Sequence, residues 1–364
     1  MVVIFLREDE ILEILKCLAP GTVLREGLDN ILKAKTGALI AVAGSDELNK
    51  IIDGGFSINE EFTPAGIYEL AKMDGAIILS SDMKKILMAN VQLVPDYKIK
   101  TYETGTRHRT AERTAKQTGD LVICISQRRG IITVFKGDFR YVISETSAVM
   151  LRANQTIEAL EKYRTVCDNM LNILSEHEFD DIVSLETVAN SIYRAEMILR
   201  METEVIKNII ELGDEGRLVN MQFEELIANV EKEELLIIRD YMNFKKRSNK
   251  TPESILSDIR KLDKKDIVLA DKIAKLLGYD VSVENNGIDQ NVSPKGYRIL
   301  SKVPKMPQTV IDKIVETYGS LQGAISASTE ELDDIEGIGE IRAKIINQSL
   351  RRLQEQYILK GYNI

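Results

Sequence analysis

The chain of 364 residues has no tryptophan, two histidines, three cysteines and seven prolines, and only 5% of it is aromatic. Two histidines exclude a histidine-built metal cluster, and Cys17, Cys124 and Cys167 are too scattered for a CxxC zinc site or a disulfide framework. No apolar run approaches the roughly 18–20 residues that cross a bilayer. The first ten residues lack a basic start and turn acidic at Glu8-Asp9-Glu10, unlike a secretion signal. A cytoplasmic, reducing setting without a membrane partner is expected. Positive charge is also short: 48 Lys and Arg against 57 Asp and Glu leave a net charge of -9, which argues against a uniformly basic surface for gripping nucleic acid.

Chain breakers are unevenly spread. No glycine occurs between Gly137 and Gly213, and no proline between Pro95 and Pro252. The middle is therefore expected to be continuously helical. Segment charges are -1 for 1–146, -9 for 147–290 and +1 for 291–364, so the acidic excess belongs to the middle and reads as a solvated helix face. Three domains are expected with those bounds.

The first is an α/β domain with a mixed central sheet. Its strand candidates are Ala38–Val42, Gly75–Leu79, Leu121–Ile125, Ile131–Phe135 and Phe139–Ile143, the last three close enough for a meander. The second is an all-α spine, opening with a stripe from Val149 through Ala153, Ile157, Leu160 and Cys167 to Leu174 that spans about seven turns. His177 reads as a surface residue between helices. Asn285-Asn286-Gly287 and Ser293-Pro294-Lys295-Gly296 mark a linker to the all-α third domain.

In that last domain, Glu336-Gly337-Ile338-Gly339-Glu340-Ile341-Arg342-Ala343-Lys344 places a glycine hairpin between two helical patterns. Gly337 and Gly339 let backbone approach a phosphate closely, the following helix offers free N–H groups, and Arg342 and Lys344 add charge. The pattern resembles the helix-hairpin-helix family, whose phosphate contacts bind DNA without reading its bases. A second copy precedes it, with Pro304 and Pro307 where hairpin glycines would stand.

Two clusters carry chemistry in the first domain. Met73-Asp74-Gly75-Ala76 sets a carboxylate at the entrance to a buried strand. Gly105-Thr106-Arg107-His108-Arg109-Thr110 sets hydroxyls, guanidiniums and an imidazole at a helix start, the donors a polyphosphate requires. Alone, each is also an ordinary turn or a solvated helix face. Ser126 and Arg128, just after a strand, are pocket candidates with a plain turn as equal alternative.

Together, Asp74-Gly75-Ala76 and Arg107-His108-Arg109 resemble the DGA and RHR signatures of the diadenylate cyclase family, and the three-part chain resembles its branch with a C-terminal helix-hairpin-helix domain. The resemblance implies condensation of two ATP molecules into cyclic di-AMP and two pyrophosphates, with Mg²⁺ or Mn²⁺. It implies Asp74 as the carboxylate acting on the attacking hydroxyl, directly or through the metal, and Gly75 and Leu93 along the adenosine pocket. It further implies Thr106, Arg107, His108, Arg109 and Thr110 on the phosphates, and His108 beside Asp74 at the metal. One copy of each signature makes half a site, so a homo-oligomer is expected, an octamer by resemblance. The resemblance also implies DNA association, with branched DNA inhibiting the cyclase. The alternatives are a DNA repair nuclease or lyase, and a non-enzymatic DNA-binding scaffold that senses ATP.

Overall fold

The computed structural model describes residues 8–361 apart from 244–245, 247–248 and 283–286. The start of the chain and Asn285-Asn286 lie outside the described residues. In chain order the first elements are α1 (Glu8–Cys17), α2 (Val23–Lys33), β1 (Ala38–Val42), α3 (Asp46–Lys50), β2 (Ile52–Asp53), β3 (Phe56–Glu61), α4 (Pro64–Leu70), β4 (Ala76–Leu79), β5 (Lys85–Leu93), α5 (Thr106–Thr118), β6 (Leu121–Ser126), β7 (Ile131–Lys136) and β8 (Phe139–Val142). Helices follow: α6 (Thr146–Asp180), α7 (Leu185–Leu199), α8 (Glu202–Leu212), α9 (Arg217–Ile227), α10 (Val230–Tyr241), α11 (Pro252–Arg260) and α12 (Ala270–Leu277). The chain closes with α13 (Tyr297–Ser301), α14 (Gln308–Tyr318), α15 (Leu321–Ser326), α16 (Thr329–Asp333) and α17 (Glu340–Gly361). Among the described residues no helix is long and apolar enough to cross a membrane.

Two compact units result, 1–156 with 204–221, and 157–203 with 222–364. The first is built on a mixed sheet of order β2-β5-β4-β1-β6-β7-β8, with β3 on β5. Only β1 and β4 run parallel, because the segment joining them is long enough to cross over, whereas the short links after β4, β6 and β7 close as antiparallel pairs. Alternate side chains of β1 serve opposite faces. Ala38, Ile40 and Val42 pack with Leu28, Ile31 and Ile67 from α2 and α4, while Leu39 and Ala41 pack with Ala111 and Ala115 from α5. Both faces being covered explains why β1 and β4 are apolar throughout.

The first unit also takes in a later stretch of chain. Asp214 N–H donates to the Pro20 carbonyl at 3.2 Å. Tyr141 on β8 donates its hydroxyl to Glu211 of α8, which Arg152 approaches at 3.4 Å.

In the second unit, α7, α10, α11 and α12 enclose one apolar core and α13–α17 another, reached by Phe179 and Leu236. The two are stitched by buried charge. Arg298 is fully buried and donates to Glu178 Oε2 at 2.5 Å and Ser175 Oγ at 2.8 Å. Asp240 accepts the N–H groups of Gly296, Tyr297 and Arg298 at 2.7–2.9 Å, filling the N-terminus of α13. Burial, with Glu178 nearby, pushes the Asp240 carboxyl up to about 7 despite those three bonds.

The stripe from Val149 to Leu174 lies inside α6, which has 35 residues, longer than the expected seven turns because nothing breaks it before Asp181, where φ reaches +55°. His177 is within α6 and half-buried, not between helices.

Candidate active site

The β1–β4 register, Ile40 opposite Ile77, brings the starts of both strands to one end of the sheet, and Ala38 opposite Ile125 brings the end of β6 there too. Asp74 sits in the turn before β4 with its side chain fully exposed. Gly75 has φ +88°, and a Cβ there would stand 2.7 Å from the Val91 carbonyl oxygen, so only glycine lets the turn lie flat on β5. β5 answers with an irregularity: its register against β4 shifts between Ala76 and Ile78. Within that shift Asn90 takes φ +54° and donates Nδ2 to the Asp74 carbonyl at 2.8 Å. Leu93, at the end of β5, is buried in the core beside Ile51 and Val91.

The second signature arrives on α5. Its N-cap, Gly105, supplies no side-chain bond, and its first turn has no acidic residue. The N-terminal N–H groups and the positive helix end therefore stay open to an anion. Arg107 reaches back across β1: a Cβ on Gly37 would lie 2.5 Å from its Nη1, and its Nη2 stands 4.0 Å from the Asp74 carboxylate. Residues 33 apart in sequence thus share one corner. Thr106 and Arg109 are exposed there, and Thr110 is half-buried.

His108 turns the other way. Its ring is buried, edge-on to Phe135 with centroids 6.4 Å apart, and Nδ1 lies 3.3 Å from Cys124 Sγ. Nε2 is buried with no hydrogen-bond partner. Burial, aided by Arg129 and Arg140 and opposed by Glu103, holds the imidazole below its ordinary value. Burial also pushes the Cys124 thiol up to about 12.

His108 forms one wall of a cleft of about 550 Å³ with Glu103, Gly105, Ser126, Arg128 and Arg129. Ser126 ends β6 and Arg128 lies in the turn to β7, where Ser126 Oγ accepts the Arg129 N–H at 3.2 Å. Ser126 therefore both caps this turn and borders the cleft. Glu103 is fixed by Arg140 at 2.6 Å. The loop bearing it is held along α5 by Glu112, which accepts from Thr101, from Tyr102 N–H and from Lys116. Burial alone would raise the Glu112 carboxyl, but the Lys116 and Thr101 bonds outweigh it and hold it low.

Sequence reasoning missed Asn90, Glu103, Cys124 and Gly37, each of which acts through a partner remote in the chain. No local signal in the sequence marks any of the four. Among the described residues no three His, Cys, Asp or Glu side chains gather as a metal site. A lone exposed carboxylate suits a hard divalent cation that takes its other ligands from phosphate oxygens and water.

At the far end of the chain, Gly337 has φ +90° and its carbonyl accepts Arg342 Nη1 at 2.6 Å. Lys344 pairs with Glu340 at 2.5 Å, and Gly339 is open on its Cβ side. In the preceding hairpin the left-handed residue is Lys305, φ +56°, and neither proline occupies that place. Pro307 is instead the N-cap of α14, so it removes no N–H from the helix itself.

A family model described as DisA bacterial checkpoint controller nucleotide-binding matches residues 25–139, and one described as the DisA bacterial checkpoint controller linker region matches 143–286. The DNA integrity scanning protein DisA of Carboxydothermus hydrogenoformans is 54% identical over 351 residues, covering 96% of this chain and 99% of that protein. The protein of that name from Clostridium botulinum strain Loch Maree is 50% identical over 354 residues, 97% of this chain and 98% of its own. Among solved structures, DacA from Staphylococcus aureus matches 38% of this chain and 91% of its own at 22% identity and TM-score 0.30. The likeness to the two DisA proteins extends beyond both family models into the C-terminal helices. The chain belongs to the DisA family and is a diadenylate cyclase, a nucleotidyltransferase.

Proposed function

We propose that two copies of the first domain, 1–146, face each other about a twofold axis and condense two ATP molecules into cyclic di-AMP. The observation that carries this reading is the meeting of Asp74 and Arg107 beside the uncapped start of α5. In each half-reaction the 3′-oxygen of one ATP attacks the α-phosphorus of the other. Its O–H bond breaks, the bond to the bridging oxygen breaks in line, and pyrophosphate leaves; the second half-reaction closes the ring.

Asp74 orients the 3′-hydroxyl and takes its proton. Gly75 and Leu93 border the adenosine. The N–H groups of α5, the hydroxyls of Thr106 and Thr110, and the charges of Arg107, Arg109 and Arg128 hold the phosphates, with Ser126 and His108 along the cleft wall. Mg²⁺ or Mn²⁺, held by Asp74 and the phosphates, would neutralise charge on the α-phosphate. One chain has a single set of these groups, so both half-sites require a second copy, and an octamer satisfies this for every chain.

The spine, 147–290, and the hairpin domain, 291–364, add DNA association in the cytoplasm. Gly337, Gly339, Arg342 and Lys344 contact phosphates, branched DNA being the favoured form, and binding there lowers cyclase turnover. Purified full-length protein with ATP and Mn²⁺ should yield cyclic di-AMP on thin-layer chromatography, and Asp74→Asn should lower the yield about 10³-fold. Unchanged product from that variant overturns the assignment. A four-way junction that binds without slowing turnover overturns the coupling, and cleavage of that junction would favour a nuclease.

A further inference from the structure

Between the two hairpins of the last domain lies a groove of about 820 Å³, formed by the turn after α13 and by the start of α17. Val303 and Ile346 line it from the core, where both are buried. Ile341 and Ile345 line it as well, yet 79% and 44% of their surfaces are exposed. Residues four apart share one face of a helix, so α17 brings an uncovered apolar strip to the groove. The packing of the domain does not account for that strip: its core takes Ile338, Ala343 and Ile346 and leaves these two isoleucines out.

The rim of the same groove is positive. Lys305 is exposed at the left-handed turn of the first hairpin. Arg342 is held by a carbonyl, that of Gly337, and not by a carboxylate. Glu340, the acidic residue of the groove, is paired with Lys344. A partner that fits is therefore anionic at the rim and apolar between. Continuous duplex DNA meets only the first condition, because it presents phosphates and polar base edges and closes its base faces within the stack. Pressing Ile341 on those edges would strip water from polar groups without replacing their hydrogen bonds. Where a stack opens at a branch, a base face is freed, and an apolar side chain packs on it without that cost.

We propose that Ile341 and Ile345 form a base-contacting subsite, separate from the phosphate contacts of the hairpins, that packs on an unstacked base at a DNA branch and makes this domain favour branched DNA over continuous duplex. The subsite rests on the reading of the domain as a DNA binder. Phosphates supply the affinity in that reading, and the two isoleucines supply the discrimination.

The test is titration of full-length protein, followed by fluorescence anisotropy, with a three-way junction carrying unpaired bases at its branch and with a continuous duplex of equal length. Ile341→Ala should weaken junction binding about tenfold, equivalent to about 1.4 kcal/mol, and duplex binding less than about twofold. The dependence of log Kd on log salt should stay the same, because no phosphate contact is lost. Ile341→Leu should keep the preference, and the exposure of Ile341 predicts an unchanged melting temperature for both variants. Arg342→Ala should instead weaken both DNAs alike. Equal losses on junction and duplex for Ile341→Ala, a reduced salt slope, or a junction preference that survives Ile341→Ala combined with Ile345→Ala overturns the subsite. Unaltered protein that binds the two DNAs equally overturns the subsite while leaving the DNA reading in place. Unaltered protein that binds neither overturns the DNA reading and the subsite with it.

Discussion

Helices α5 and α13 begin with the same chemistry at hand, an arginine within the first turn and a carboxylate close by, and use it oppositely. At α13 the carboxylate of Asp240 fills the N-terminus with three hydrogen bonds, and Arg298 is buried against Glu178. At α5 the N-terminus is uncapped, Asp74 stands free in solvent, and Arg107 stops 4.0 Å short of it. A charge buried and paired fixes one arrangement of chain, whereas a charge exposed and loosely paired keeps its field for a ligand.

The comparison breaks first at Asp74. Asp74→Asn should cut turnover about 10³-fold, within the range for a positioned general base, while the melting temperature stays put; a shared loss of fold and activity would erase the distinction. Arg298→Met should do the reverse. Leaving Glu178 buried with the Tyr241 hydroxyl but no positive partner should cost about 3–5 kcal/mol in denaturant unfolding, and a loss under 1 kcal/mol would show the buried pair to be no stronger than the exposed one.

Asp240 sharpens the contrast through pH. Its folded value, about 7, lies above the unfolded value near 4, so the folded state holds an extra proton between them. That contribution is full below about pH 4 and is lost as pH rises through about 7. Melting followed by circular dichroism should show this decline, flattened in Asp240→Asn. At the open site, Asn90→Ala removes one hydrogen bond to the Asp74 carbonyl and should lower turnover about tenfold, equivalent to about 1.4 kcal/mol. Asn90→Gly should do less harm to folding because it keeps φ +54° accessible. The smallest effect is expected at Arg342: Arg342→Ala should weaken DNA binding evenly across sequences and reduce the salt slope by about one, measured by titration at several salt concentrations.

Much of this was legible in the chain. Strands rich in Val and Ile between breakers stand where the periodicity predicts, and the meander β6-β7-β8 follows from short links. β5 was missed because Asn90 and Gln92 interrupt its apolar pattern, and β3 because its side chains are mostly exposed and carry no alternation. The two signatures were legible as motifs, but not their meeting. Nothing local to Asp74 names Asn90, and nothing local to His108 names Cys124, since a shared sheet supplies both partners. Lys305 shows the same limit in the hairpin, where the left-handed residue is a lysine beside the two prolines read as standing in for glycines.

The stretch 204–221 that joins the first unit changes what a fragment of this protein is. A chain cut after residue 146 would leave Pro20, Gly21 and Tyr141 facing water in place of Asp214 and Glu211. Sequence order and physical neighbourhood therefore disagree about where the enzyme ends. An excised 1–146 fragment would lack every contact that those eighteen residues make with it.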